Sequence, residues 1–137
     1  MNIQKIKTKL ITAVGFKAVA YLQALRFLYL LKTDKSPDPE VMLLKRFLRK
    51  GDTAVDIGAN AANWTYYLYN SIGSEGNLYA FEADPYYGYA TEIAIKMMGL
   101  KGVHFFSFGL SNKSENVPLR IMYSNGLRFS GLGYIDK

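Results

Sequence analysis

Two acids and a glycine–asparagine turn carry most of the chemical information in this sequence. Asp56 stands two residues before Gly58, Asn60 follows closely, and Glu82 comes 24 residues after Gly58. A carboxylate at the end of a strand can accept both ribose hydroxyls of a nucleoside, and a second acid nearby suits a cation better than a phosphate. Gly58 lets the backbone turn tightly and approach a ligand closely; Asn60 tolerates unusual backbone angles and can cap a following helix. Read singly, Asp56 is an ordinary turn acid and Asn60 a plain helix cap. Together, in one strand–turn–helix context, they read as a binding site. Composition excludes other chemistries. With no cysteine there is no thiol nucleophile, thiolate metal site or disulfide, and with one histidine there is no multi-histidine metal centre. That histidine, His104, falls within an apolar run and reads as a packed strand residue rather than a base. No catalytic base is identified and no metal is expected.

The elements that must hold these residues begin at residue 53. Thr53-Ala54-Val55-Asp56-Ile57 reads as a short apolar strand, Gly58-Ala59-Asn60 as a turn, and residues 61–72 as a helix stopping at Gly73. Residues 77–82 form a second strand. Asp84-Pro85 is a cap and first-turn pair that opens a helix to about Met98, ended by Gly99. Residues 103–108 form a third strand. Strands alternating with helices mean parallel pairing through right-handed crossovers, an α/β doubly wound, Rossmann-like sheet. Ligands in such sheets lie at the carboxyl ends of the strands, where Asp56, Gly58 and Glu82 fall.

Two nucleoside cofactors fit a ribose-binding acid at that point. Nicotinamide sites set three glycines, G-x-G-x-x-G, against a pyrophosphate. Here Gly58 is the only one of the three, and Asp56 would place negative charge beside the phosphates. S-adenosyl-L-methionine carries an ammonium and a sulfonium and no phosphate, so the acids favour it.

A resemblance points the same way. The run Val55-Asp56-Ile57-Gly58-Ala59-Asn60, then Thr65, then Ala80-Phe81-Glu82-Ala83-Asp84-Pro85, resembles the FkbM-type family of S-adenosylmethionine-dependent methyltransferases, with their V-D-[IV]-G-A-N-x-G-x-x-T and A-F-E-P-x-P signatures. The turn Gly109-Leu110-Ser111-Asn112 is similar to their A-L-S-D turn. The likeness covers about residues 41–123. It implies a Rossmann-like methyltransferase acting on a hydroxyl of a small molecule or glycan. It also implies a cofactor site built from Asp56, Gly58, Ala59 and Asn60 at the methionine end, Glu82 and Ala83 at the ribose, and Gly109 and Leu110 on the adenine side. Tyr86 and Tyr87, just past Glu82, are candidates for stacking on adenine. The sequence departs from the family at Ala62, which replaces a glycine, at Ala83, which replaces a proline, and at Asn112, which replaces an acid. The added methyl of Ala62 is expected to narrow the space for the cofactor.

The front of the chain differs in character. Of the 137 residues half are hydrophobic, and the net charge of +6 divides into +8 over residues 1–50 and −2 over the rest. Residues 3–31 read as a basic amphipathic helix with Ile3, Ile6, Leu10, Val14, Ala18, Leu22, Leu25 and Leu28 (or Tyr29) along one apolar stripe. Lys17, Gln23 and Arg26 argue against a membrane span, because a charge at the bilayer centre costs about 2.5–3.5 kcal/mol on insertion scales. A secretory signal is also rejected, since the apolar core is short and its pattern continues past any cleavage site. The helix either lies on the domain or touches a membrane surface peripherally. A break at Ser36-Pro37-Asp38-Pro39 precedes a second short helix with Val41, Leu44, Phe47 and Leu48 inward.

The expected organisation is therefore a helix and linker over residues 1–37 and a partial Rossmann-like domain over 38–137, ending in a strand at 116–123 and a glycine-rich tail at 126–137. Counting three parallel strands, the first is left with an unpaired edge beside the cofactor, to be covered by a second copy or by a missing C-terminal half. The family's later K-x-D-x-E-G segment has no counterpart here, so the chain reads as the cofactor-binding half of an enzyme. The expected acceptor is a small molecule or glycan, no nucleic-acid partner is expected, and the location is cytoplasmic or membrane-peripheral. Two other readings stand: a catalytically inactive adenosylmethionine- or adenosylhomocysteine-binding domain, and a surface-association protein using the basic helix.

Overall fold

The computed structural model describes residues 14–33, 39–124 and 127–135. The first helix, α1, spans Phe16–Lys32. A 3-10 turn at Pro39–Leu43 runs into a single helical turn, α2, at Leu44–Phe47. There follow β1 (Thr53–Ile57), α3 (Asn63–Ile72), β2 (Asn77–Phe81), α4 (Pro85–Met98) and β3 (Val103–Phe106). A hairpin of β4 (Leu119–Ser124) and β5 (Leu127–Ile135) completes the order.

The expected α/β core is present. β1, β2 and β3 pair in parallel in that order, with Ala54 beside Leu78 and Leu78 beside Val103. Each crossover steps the same way along the sheet, and right-handed crossovers in one direction put α3 and α4 on the same face. Ala54, Asp56, Leu78 and Ala80 point under these helices and are buried. The other face carries Val55, Ile57, Tyr79, Phe81, His104 and Phe106; Ile57 is 70% exposed there. His104 is a surface strand residue stacked on Tyr79, centroids 4.9 Å apart. As the sequence implied, β1 has a partner on one side only among the described residues.

Helix boundaries follow the caps. Asp84 accepts the Tyr86 amide at 2.9 Å with Pro85 in the first turn. Gly73 (φ 77°) and Gly99 (φ 63°) end α3 and α4 in backbone conformations open to glycine.

Four expectations change. A continuous helix over residues 3–31 is interrupted at Gly15, whose φ of 82° is not helical; residues 3–13 lie outside the described residues. The expected stripe of α1 faces outward, with Leu22 52% exposed, while Val19, Ala20, Ala24 and Phe27 are buried. α1 is apolar around most of its circumference, so the small residues, which allow the closest approach, decide which side packs on Ala90 and Ala94 of α4. In the short second helix Phe47 is 77% exposed rather than inward; its cap residue Asp38 lies outside the described residues. Finally, the region read as a glycine-rich tail is strand β5, antiparallel to β4 with Ser124 paired to Leu127.

No helix among the described residues is long and apolar enough to cross a membrane.

Candidate functional site

The turn after β1 is bound to the end of β2 by backbone geometry. The amides of Gly58 and Ala59 both donate to the Phe81 carbonyl at 2.9 Å, and the Glu82 amide donates to Phe106 at 3.0 Å. Gly58 adopts φ 85°, and a Cβ placed there would meet nothing within 4 Å, so the position opens onto free space. Asn60 takes φ 51°, the left-handed conformation that asparagine tolerates. Its carbonyl accepts the buried Thr91 hydroxyl of α4, which fixes the turn to the helix below.

Glu82 completes this frame. One carboxylate oxygen accepts the Asn60 amide and the other the Asp84 amide, each at 2.8 Å. Each oxygen keeps a further lone pair, so the carboxylate is held in place yet can still accept a diol. Glu82, Gly58, Asn60, Ala83, Tyr87 and Leu119 line a cleft of about 240 Å³. Leu119 is the first residue of β4, so the strand expected at 116–123 contributes a wall.

Asp56 lies beneath the turn instead of lining the cleft. It is 7% exposed and accepts the Thr65 hydroxyl of α3 at 2.6 Å. This bond gives the threonine of the motif its function, tying β1 to α3. Burial pushes the Asp56 carboxyl above its ordinary range and the nearby Glu82 charge adds to the rise, while the Thr65 hydroxyl opposes them. The Glu82 charge beside it disfavours a negative charge on Asp56, and an approaching cation would relieve that penalty.

The remaining expected residues divide. Ala83 lines the cleft, and Gly109 lies against it: a Cβ at Gly109 would come 3.3 Å from the Ala83 methyl. Leu110 is exposed and lines no cleft described here. Ala59 is almost fully buried and contributes to the wall of a second, larger cleft on the other side of the turn. Tyr86 packs against α1 with Val19 and Ala20, whereas its neighbour Tyr87, ring centroid 5.0 Å away, reaches the cleft. Ala62 corrects an expectation. Its φ of 67° explains why a glycine suits this position, but its methyl is fully buried with Ala24, Phe27 and Ala94. It fills core space below α1 and does not narrow either cleft.

A second cleft, of about 390 Å³, opens on the other side of the same turn and shares Gly58 and Asn60. α1 provides Gln23, Arg26 and Phe27; α3 provides Asn63, Trp64 and Tyr67. Sequence reasoning missed this group, because it depends on how α1 docks across the turn. The available signal was a charged Arg26 within an otherwise apolar helix.

No family model matches the chain, and no curated protein matches it. Among solved structures, the chain is similar to a protein from Clostridium thermocellum assigned as an rRNA methylase, at 24% identity and a TM-score of 0.49 over 51% of this chain and 40% of that one. A SAM-dependent methyltransferase from Aquifex aeolicus overlaps at 26% identity and a TM-score of 0.45, covering 66% of this chain and 50% of that one. A protein from Klebsiella pneumoniae assigned as an O-methyltransferase overlaps at 16% identity and a TM-score of 0.44, covering 77% of this chain and 52% of that one. The chain thus spans about half the length, or less, of these solved structures.

Proposed function

We propose that this chain binds S-adenosyl-L-methionine as part of a methyltransferase of the FkbM type, acting on a hydroxyl of a small molecule or glycan. The observation that carries the reading is Glu82, fixed at the end of β2 by two backbone amides beside the open Gly58 turn. In the bound state Glu82 would accept the ribose hydroxyls, the backbone at Gly58 and Asn60 would face the methionine portion, and Ala83 with Gly109 would border the adenine. The paired carboxylates supply the field that favours a sulfonium over a pyrophosphate. The left-handed Ala62 at the family's glycine position supports the finer assignment.

The cofactor would supply an electrophilic methyl: an O–C bond forms as the C–S bond breaks, the electron pair returns to sulfur, and the hydroxyl proton passes to a base or water. The chain's own contribution is orientation, which lowers the barrier for an in-line displacement.

Calorimetric titration with S-adenosylhomocysteine tests the reading. The native chain is expected to bind with a cooperative melt shifted upward. Glu82→Gln keeps the shape and one acceptor oxygen, and it should weaken binding by about 10–100-fold, the range for a lost hydrogen bond to a charged group. Unchanged affinity in a folded Glu82→Gln chain removes the ribose assignment.

A further inference from the structure

The two clefts that meet at Gly58 and Asn60 differ in charge. Glu82 and Asp84 line one, with Asp56 buried close by; among the described residues Arg26 is the only charged one lining the other. Among the described residues Arg26 makes no ion pair or hydrogen bond, so its guanidinium is available to an incoming anion. Around it stand the flat rings of Trp64, Tyr67 and Phe27 and the amides of Gln23 and Asn63. At about 390 Å³ the space lies in the ordinary range of small-molecule sites, and its mix of apolar walls with a few polar groups is typical of them.

We propose that this cleft is the methyl-acceptor site and takes a small hydroxylated molecule bearing a carboxylate or phosphate, its anion on Arg26 and its body against Trp64 and Tyr67. The acceptor role rests on the methyltransferase reading above; anion binding does not. The shared Gly58–Asn60 wall places such an acceptor beside the cofactor's reactive end. Opposite charges in the two clefts sort the ligands, cation to one side and anion to the other. Arginine suits the task because its planar fork matches carboxylate and phosphate and also stacks on rings.

Trp64 is the single tryptophan of the chain, so its fluorescence reports on this cleft directly. The experiment titrates 4-hydroxybenzoate, phenyl phosphate and the neutral 4-hydroxybenzamide into the native chain and into Arg26→Gln. Binding of S-adenosylhomocysteine is measured in parallel by calorimetry. Both anions should give saturable changes, with the amide at least about tenfold weaker, a difference of about 1.4 kcal/mol. Arg26→Gln should erase that preference and leave adenosylhomocysteine affinity unchanged. Equal affinity for the acid and the amide, or no saturable response to either anion, overturns the anion site. A large loss of adenosylhomocysteine affinity in Arg26→Gln also overturns it, by assigning the arginine to the carboxylate of the cofactor. If the native chain binds the anions but not adenosylhomocysteine, the methyltransferase reading fails and takes the acceptor role with it. If it binds adenosylhomocysteine alone, only the present inference fails.

Discussion

At Asp56, burial and the charge of Glu82 act in the same direction, raising the carboxyl above its ordinary value of 3.8. A folded state that holds this proton more tightly than the unfolded chain loses stability as pH rises from 3.8 through the folded value, and the loss persists above it. Asp56→Asn removes the charge and keeps an oxygen for the Thr65 hydroxyl. Its stability should match the native chain in acid and exceed it near neutral pH, as measured by urea titration across that range. The same variant should weaken S-adenosylmethionine more than S-adenosylhomocysteine, because only the former carries the sulfonium charge. Equal losses would leave Asp56 with a structural task alone. Ala62 allows a second test. A left-handed alanine costs roughly 1–2 kcal/mol, against about 0.8 kcal/mol for its buried methyl. Ala62→Gly should therefore shift stability by no more than about 1 kcal/mol and leave adenosylhomocysteine affinity as it was, since the methyl faces Phe27 rather than a cleft.

Among the elements, α1 separates what a sequence pattern can decide from what it cannot. Its apolar residues surround the axis, so a three- and four-residue stripe through Leu22 and Leu25 was as regular as the one that packs. What selects the buried side is a match between two helices, Ala20 and Ala24 against Ala90 and Ala94, and a match involves both partners. Ala24→Leu should cost about 1–3 kcal/mol by overpacking. Leu22→Ala, on the exposed side, should stay within about 0.5 kcal/mol. Denaturant melts of the two variants compare them directly, and a reversed order would mean that α1 packs through its other face. By contrast, β1, α3, β2 and α4 were legible because local chemistry sets their ends: Gly58, Gly73, Asp84-Pro85 and Gly99 each act within a few residues. The β4–β5 hairpin sat between these cases. Asn125-Gly126 is a hairpin signal, but Gly131 and Gly133 beyond it lower strand propensity, and pairing across the two segments outweighs that. The acid half of the site was readable for the same local reason, whereas Arg26 reached its cleft only through the docking of α1.

For the whole molecule, the consequential feature is the sheet face that the described helices leave open. Parallel sheets are ordinarily covered on both sides, and here the described helices lie on one. Phe81 stacks on Phe106 at 4.9 Å and meets Phe108 at 5.7 Å, so the rings of this face cover one another in part and reduce the area left to water. β1 contributes Val55 and Ile57 at the sheet edge, both exposed among the described residues. An exposed apolar patch of this kind binds the dye ANS without any unfolding. A charge at Ile57 then distinguishes an open face from a covered one. If water reaches it in solution, Ile57→Lys should change stability by no more than about 0.5 kcal/mol, keep the melt cooperative and lower ANS fluorescence. If the face is covered, by a second copy or another segment, the lysine must enter an apolar interface, where an unpaired charge costs several kcal/mol. The readout is then a lower melting midpoint that depends on protein concentration for a second copy, and not for a segment of the same chain. The native chain should bind the dye, because among the described residues Val55 and Ile57 lie exposed on this face.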